Sequence, residues 1–148
     1  MNVEAIIEEN RLLREQLARI QTGVQVSYQP GLTGEADVQQ LLRLKAPTLN
    51  AVLWRNNNGA LQNEAGAYIR FGLGNDSKRV NDKFKSSDLI GMAPDGRFLA
   101  VEVKEPGWKY RGTKREEAQQ NFGEYVRSRG GLFGFATSPE DLENILNA

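Results

Sequence analysis

Asp88-Leu-Ile-Gly-Met-Ala-Pro-Asp-Gly-Arg-Phe-Leu-Ala-Val-Glu-Val-Lys104 is the stretch that decides the fold. Two short apolar runs, Asp88–Met92 and Phe98–Lys104, flank Ala93-Pro-Asp-Gly96. Pro sets one turn dihedral, Asp bonds its own backbone, and Gly accepts a positive φ, so this linker predicts a β-hairpin. Side chains alternate along a strand. Leu99, Val101 and Val103 therefore point one way, and Phe98, Ala100, Glu102 and Lys104 the other. Glu102 and Lys104 share a face at the end of an otherwise apolar strand. Asp88 opens the partner strand and approaches the Glu102 end.

Working outward, Leu49–Asn56 and Ala67–Phe71 read as further strands, and polar Gly72–Ser87 as a loop. Upstream, Thr33 can cap a helix from about Gly34 to Lys45, with Val38, Leu41 and Leu42 as its buried stripe. Glu35 falls on the same face by helical spacing. Downstream, Thr113-Lys-Arg-Glu116 is a capping box that opens a helix to about Ser128. Gly130-Gly131 stops it. Leu132–Ala136 reads as a buried strand. Ser138-Pro139-Glu140-Asp141 starts a last helix carrying Leu142, Ile145 and Leu146. The expected architecture is mixed α/β, a sheet with flanking helices.

The N-terminal residues follow another rule. Val3, Ile6, Asn10, Leu13, Leu17 and Ile20 recur at alternating spacings of three and four, a heptad seam with Asn10 at an a position. The expectation is a dimerising coiled coil over residues 1–22, or a surface helix packed on its own domain. Residues 23–33 contain Gly, Pro and Ser and read as a linker. Residues 34–148 then form one domain.

The chain has 148 residues, 19 Lys and Arg against 19 Asp and Glu, no His and no Cys. Disulfides, zinc–thiolate sites, cysteine nucleophiles, histidine bases and histidine-ligated zinc are therefore excluded. Any metal must sit on oxygen ligands, which favours magnesium, manganese or calcium. The zero net charge excludes a globally basic nucleic-acid glove but allows a local basic face. No apolar run approaches the ~20 residues that span a bilayer, and Met1–Asn10 does not read as a signal peptide. A soluble, cytoplasmic protein is expected.

Asp88, Glu102 and Lys104 converge on one sheet edge in this reading. Two carboxylates and the Val103 backbone carbonyl can hold a hard divalent ion through oxygen alone. A neighbouring Lys can stabilise a phosphate oxyanion or help to activate a metal-bound water. Such a set suits metal-assisted phosphodiester hydrolysis. Taken alone, Glu-Val-Lys is frequent by chance and more often describes a salt bridge on a solvated strand face.

Further pieces stand in a telling order. Glu35 precedes Val38 in the first helix. Trp54-Arg55-Asn56-Asn57 is followed by Gly59-Ala60, and Arg70-Phe71-Gly72 by Ser87-Asp88-Leu89-Ile90-Gly91. Then come Phe98 to Lys104, Gln119 with Phe122 and Val126, Gly130-Gly131, and Ser138-Pro139-Glu140-Asp141. Over roughly Gly34 to Asp141 the chain resembles a VRR-NUC domain of the PD-(D/E)XK nuclease superfamily, in its small stand-alone form typical of phages. The resemblance implies a restriction-endonuclease-like mixed sheet flanked by helices. It implies Asp88 and Glu102 as metal ligands and Lys104 as the catalytic lysine. Glu35 would be an acid contacting the metal directly or through water, and Gln119 would orient the site. Ser87 replaces the superfamily's Pro before Asp88, and Asn75–Lys85 is longer than the short turn expected there.

Charge is unevenly spread. Ten Lys or Arg against six Asp or Glu fall between Asp76 and Arg115. One cluster is Lys78, Arg79, Lys83 and Lys85. The other is Lys109, Arg111, Lys114 and Arg115, interleaved with Trp108 and Tyr110. These groups suit a phosphate backbone, with the aromatics stacking on an exposed base, or they are a solvated loop. Arg55 and Asn57 either contact that backbone or finish a strand in a turn. Trp54 is expected in the core.

The function expected is a Mg2+- or Mn2+-dependent endonuclease of branched double-stranded DNA. It would resemble a Holliday junction resolvase working as a homodimer, with no organic cofactor and no membrane. The alternative is a non-catalytic DNA-binding or accessory subunit recruited through the N-terminal coil.

Overall fold

The computed structural model describes residues 34–148, together with residues 3–5, 7, 8 and 11. Those N-terminal positions are helical and exposed, and Arg11 bonds Glu8 one turn before it. Of the heptad seam, Val3 is described. Ile6, Asn10, Leu13, Leu17 and Ile20 lie outside the described residues, as do Thr33 and the linker expected at 23–33.

The chain then runs α1 (Glu35–Thr48), β1 (Val52–Arg55), β2 (Gly59–Gln62), β3 (Tyr68–Phe71), α2 (Lys78–Lys83) and β4 (Leu89–Met92). It continues with β5 (Phe98–Val103), α3 (Lys114–Ser128), β6 (Leu132–Ala136) and α4 (Pro139–Leu146). The main sheet has the order β1-β4-β5-β6. Its first three strands pair antiparallel, and β5 pairs β6 in parallel, so the sheet is mixed. The fold is mixed α/β, with helices on both faces. Among the described residues, no helix is long and apolar enough to cross a membrane.

The β4–β5 hairpin is as the sequence predicts. Ala93 and Arg97 close it, and Asp95 Oδ1 accepts from the Arg97 N–H at 3.1 Å. The alternation of β5 divides the core. Leu99, Val101 and Val103 join Leu53, Leu89 and Leu132 beneath Val38, Leu42 and Ala46 of α1 and Leu142 and Ile145 of α4. Ala100 faces the opposite way and packs with Phe122 and Val126 of α3 and with Phe133. Each fully buried Leu is worth about 1.5–3 kcal/mol, so β5 is fixed from both sides.

The capping box forms: Thr113 Oγ1 accepts from the Glu116 N–H, and the Glu116 carboxylate accepts from the Thr113 N–H. Helix α3 ends at Ser128, with Gly130 at φ 85° supplying the left-handed stop. At Gly123 an added Cβ would lie 2.0 Å from Cδ1 of Phe133. Only glycine lets α3 lie this close to the sheet, one turn beyond Gln119.

Several elements differ from expectation. The strand Gly59–Gln62 pairs β3 in a separate two-stranded sheet. Its Asn-Asn-Asn-Gly entry and absence of alternation hid it. The segment Gly72–Ser87 contains α2, which buries no residue and so has no apolar period to read. Ser77 caps it, accepting from the Val80 N–H at 3.2 Å, and Phe84 docks against Phe122. Helix α1 runs on to Thr48. Leu41 is only partly buried, whereas Ala46 is fully buried. Trp54 is not core but 41% exposed, because α3 covers the β5–β6 half of its face and not the β1 edge.

Candidate functional site

The hairpin carries the acids and α3 closes over them. Asp88 lies just before β4, and its carbonyl accepts from the Asn56 N–H at 2.8 Å, continuing the β1–β4 ladder. Its Oδ2 accepts from the Val103 N–H at 3.0 Å, which pins the carboxylate across the hairpin beside Glu102. Val103 thus contributes its N–H to the site.

Glu102 and Lys104 are 4% and 8% exposed. The solvated strand face is therefore not what the structure has: α3 covers it. Gln119 of α3 occupies the space between them. Its Nε2 donates to Glu102 Oε1 at 2.6 Å, and its Oε1 accepts from Lys104 Nζ at 3.0 Å. The direct Lys104 Nζ–Glu102 Oε1 separation is 3.9 Å. A neutral amide with one donor face and one acceptor face holds an acid and an ammonium apart while satisfying both. Lys104 is fixed in addition by its N–H, which donates to Ala136 O at 2.9 Å.

Burial and the neighbouring Asp88 carboxylate push Glu102 up to about 9. Lys104 opposes that rise without cancelling it. Two carboxyl groups pressed together in a half-closed site fit a hard dication. Mg2+ and Mn2+ need only one or two carboxylates and complete their shells with water and substrate oxygens. Asp88 and Glu102 would hold such an ion.

Glu35 does not join them. Among the described residues no cluster of three or more acidic, His or Cys side chains forms. Glu35 is the first residue of α1 and exposed, and burial on that helix begins only at Val38. Gln39, one turn after Glu35, is the α1 residue that reaches the site.

The acids open into a cleft of about 500 Å³. Asn57, Lys85 and Arg115 line it. Lys83 and Lys114 line an adjoining groove that shares Lys85 and Arg115. Arg55 is exposed at the end of β1 and is not among the residues lining either hollow, and Lys109 and Arg111 lie outside both on the loop after β5. Trp108 is not a free base-stacking ring. It stacks on Phe135 with ring centroids 4.9 Å apart, and Lys104 Nζ stands 5.4 Å from its centroid. It is a wall of the lysine's pocket. Tyr110, packed edge-on to Trp108, remains exposed.

Sequence reasoning assigned no role to six polar groups of the cleft: Gln39, Asn58, Arg70, Asn75, Asn81 and Ser86. Arg70 was visible within Arg70-Phe71-Gly72 but had no assigned role. Asn75 carried no signal, since its partners come from two separate strands. Compared with known proteins, the chain matches no family model, no curated protein and no solved structure.

Proposed function

We propose that this chain is a Mg2+- or Mn2+-dependent endonuclease acting on branched double-stranded DNA. The reading is a VRR-NUC-type nuclease of the PD-(D/E)XK superfamily, with a restriction-endonuclease-like core. The observation that carries it is the placement of Asp88, Glu102 and Lys104 together at one end of the hairpin, with Gln119 bridging Glu102 and Lys104. A structural salt bridge needs neither the second carboxylate nor an open basic cleft.

A divalent ion on Asp88 and Glu102 would supply Lewis acidity at the phosphate and the attacking water. Phosphodiester hydrolysis joins water oxygen to phosphorus and breaks the bond to one ester oxygen, which leaves with a proton. Lys104 serves this by offering positive charge to the phosphate oxygen on which negative charge grows. Gln119 keeps that ammonium from collapsing onto Glu102. Trp108 and Phe135 exclude water from the far side of the lysine. Lys85 and Arg115 attract the strand, and Asn57 contributes amide hydrogen bonds at the cleft.

The heptad over Val3 to Ile20 supports a homodimer, whose two-fold axis would match a four-way junction and place two cuts symmetrically. Such an enzyme works in the cytoplasm.

The test is incubation of the purified protein with labelled four-way junction, flap and plain duplex, in Mg2+, Mn2+ or chelator, beside Lys104→Ala. Metal-dependent nicking of branched DNA, lost in the variant with junction binding kept, is the expected outcome. Binding without cleavage under every metal would replace this reading with the non-catalytic subunit.

A further inference from the structure

The cleft has a second wall, and it is built on different principles from the first. Pairing of β2 with β3 sets Leu61, Ile69 and Phe71 on one face of the hairpin and Arg70 on the other. Leu61 is 66% exposed, and Ile69 and Phe71 are exposed as well, so apolar packing does not hold this hairpin in place. Polar groups do. The Asn75 side chain, 6% exposed, donates to Gly59 O at 3.0 Å and to Phe71 O at 2.9 Å. Those carbonyls lie at the open end of the hairpin, one on each strand. The remaining Asn75 atom, Oδ1, accepts from Arg70 Nη1 at 3.1 Å. One buried amide therefore clamps both strands and aims the guanidinium that lines the cleft.

The side-chain partners of the cations Arg70 and Lys85 are amides, whereas three cations of the outer surface pair with acids. On the outer surface, Lys45 pairs with Glu143 at 3.1 Å, Lys78 with Asp82 at 2.9 Å and Arg97 with Asp95 at 2.7 Å. In the cleft, Arg70 bonds Asn75 and Lys85 bonds Asn81, both neutral amides. Arg115 comes from the first turn of α3. None of the three forms a salt bridge with an acid among the described residues. A cation oriented by an amide keeps its charge for an incoming anion, and a guanidinium matches phosphate geometry with its remaining N–H groups.

We infer that Arg70, Lys85 and Arg115 bind the backbone phosphate adjacent to the one that reacts, and that Asn75 is the positioning residue for Arg70. The inference rests on the nuclease reading for the identity of the polyanion. It adds that the cleft recognises two successive phosphates of one strand, one at the acid pair and one at the three cations.

The experiment is a salt titration of binding to a fluorescent four-way DNA junction, with the full chain in chelator so that nothing is cut. Arg70→Gln should weaken binding on the order of tenfold and reduce the slope of log K against log salt by about 0.9, one phosphate contact. Asn75→Ala should reproduce that smaller slope with Arg70 still present, and the double variant should be no weaker than Arg70→Gln. A purely structural loss lowers the melting temperature and leaves the slope alone. Arg97→Gln, at the far end of the β4–β5 hairpin, should keep the wild-type slope. An unchanged slope in Arg70→Gln, in a protein that still cuts with metal, would overturn the clamp and leave the nuclease reading standing. A reduced slope in a protein that cuts nothing under any metal would keep the clamp and remove the nuclease. A wild-type chain that binds no DNA would overturn both.

Discussion

Gln119 donates to Glu102 Oε1 at 2.6 Å, and through its other amide atom it accepts from Lys104. The glutamine comes from α3 and its partners from β5, so a helix–sheet contact sets the geometry of the charged pair. Gln119→Ala should leave both partners short of a hydrogen bond in a buried site. The expected loss is about 1–3 kcal/mol of stability. On the proposed nuclease reading, single-turnover cleavage should slow by about 10–100-fold, the usual cost of losing a group that orients a metal-site residue. A denaturant melt and a single-turnover assay read the two effects. A variant as stable and as fast as wild type would show that the amide does not order the site.

Glu102 gives the metal-free protein a pH dependence with a definite sign. Its folded value is about 9 against an ordinary 4.5. Over that interval the folded state holds a proton that the unfolded state has lost, so stability falls as pH rises. The slope from this one group is at most about 1.4 kcal/mol per pH unit. Melting temperatures in chelator from pH 5 to 9 should decline accordingly. Glu102→Gln should flatten the decline, and Mg2+ or Mn2+ should restore wild type at the alkaline end. A wild-type profile already flat in chelator would contradict the assignment.

Ser87 is fully buried beside Asp88, and its hydroxyl has no hydrogen-bond partner among the described residues. Burying an unpaired hydroxyl costs free energy that an alanine does not incur. Ser87→Ala should therefore hold stability constant or raise it by up to about 1 kcal/mol. Its carbonyl, which accepts from Asn56 Nδ2 at 2.9 Å, is untouched by the change. A loss of stability in a urea melt would mean the hydroxyl is bonded.

Gly123 is the contact that lets Gln119 reach the sheet. A Cβ there meets Phe133 at 2.0 Å, and a ring buried in the core has little room to yield. Gly123→Ala should cost about 1–3 kcal/mol by overpacking, despite the better helix propensity of alanine. On the proposed nuclease reading it should also slow cleavage, since displacing α3 draws Gln119 from Glu102. Equal or greater stability in a thermal melt would show that α3 has slack.

The local grammar of this chain was enough for most of its elements. Pro94-Asp95-Gly96 fixed the β4–β5 hairpin, Thr113 and Glu116 fixed the start of α3, and alternation placed Glu102 and Lys104 on one face. Each signal acts within a few residues, through backbone dihedrals and side-chain period, so it survives without knowledge of the fold. The short α2 and the β2 strand had no such signal. One buries nothing, and the other pairs in a small sheet whose Leu61 and Ile69 stay exposed.

The sequence by itself determined which residues share a strand face and which residue types are absent. That confined any metal to oxygen ligands and put an acid beside a lysine. Only the tertiary structure decided how those groups are used. Burial under α3, the Gln119 bridge and the Asp88–Val103 bond turn an ordinary Glu-Val-Lys into an ordered site at the floor of a cleft. The structure also set Glu35 apart and brought Arg70 in through Asn75. The physical reason is range: spacing along the chain governs neighbours within a turn or two. The approach of an α3 amide to a β5 carboxylate depends on how a helix seats on a sheet, here on the missing side chain of Gly123.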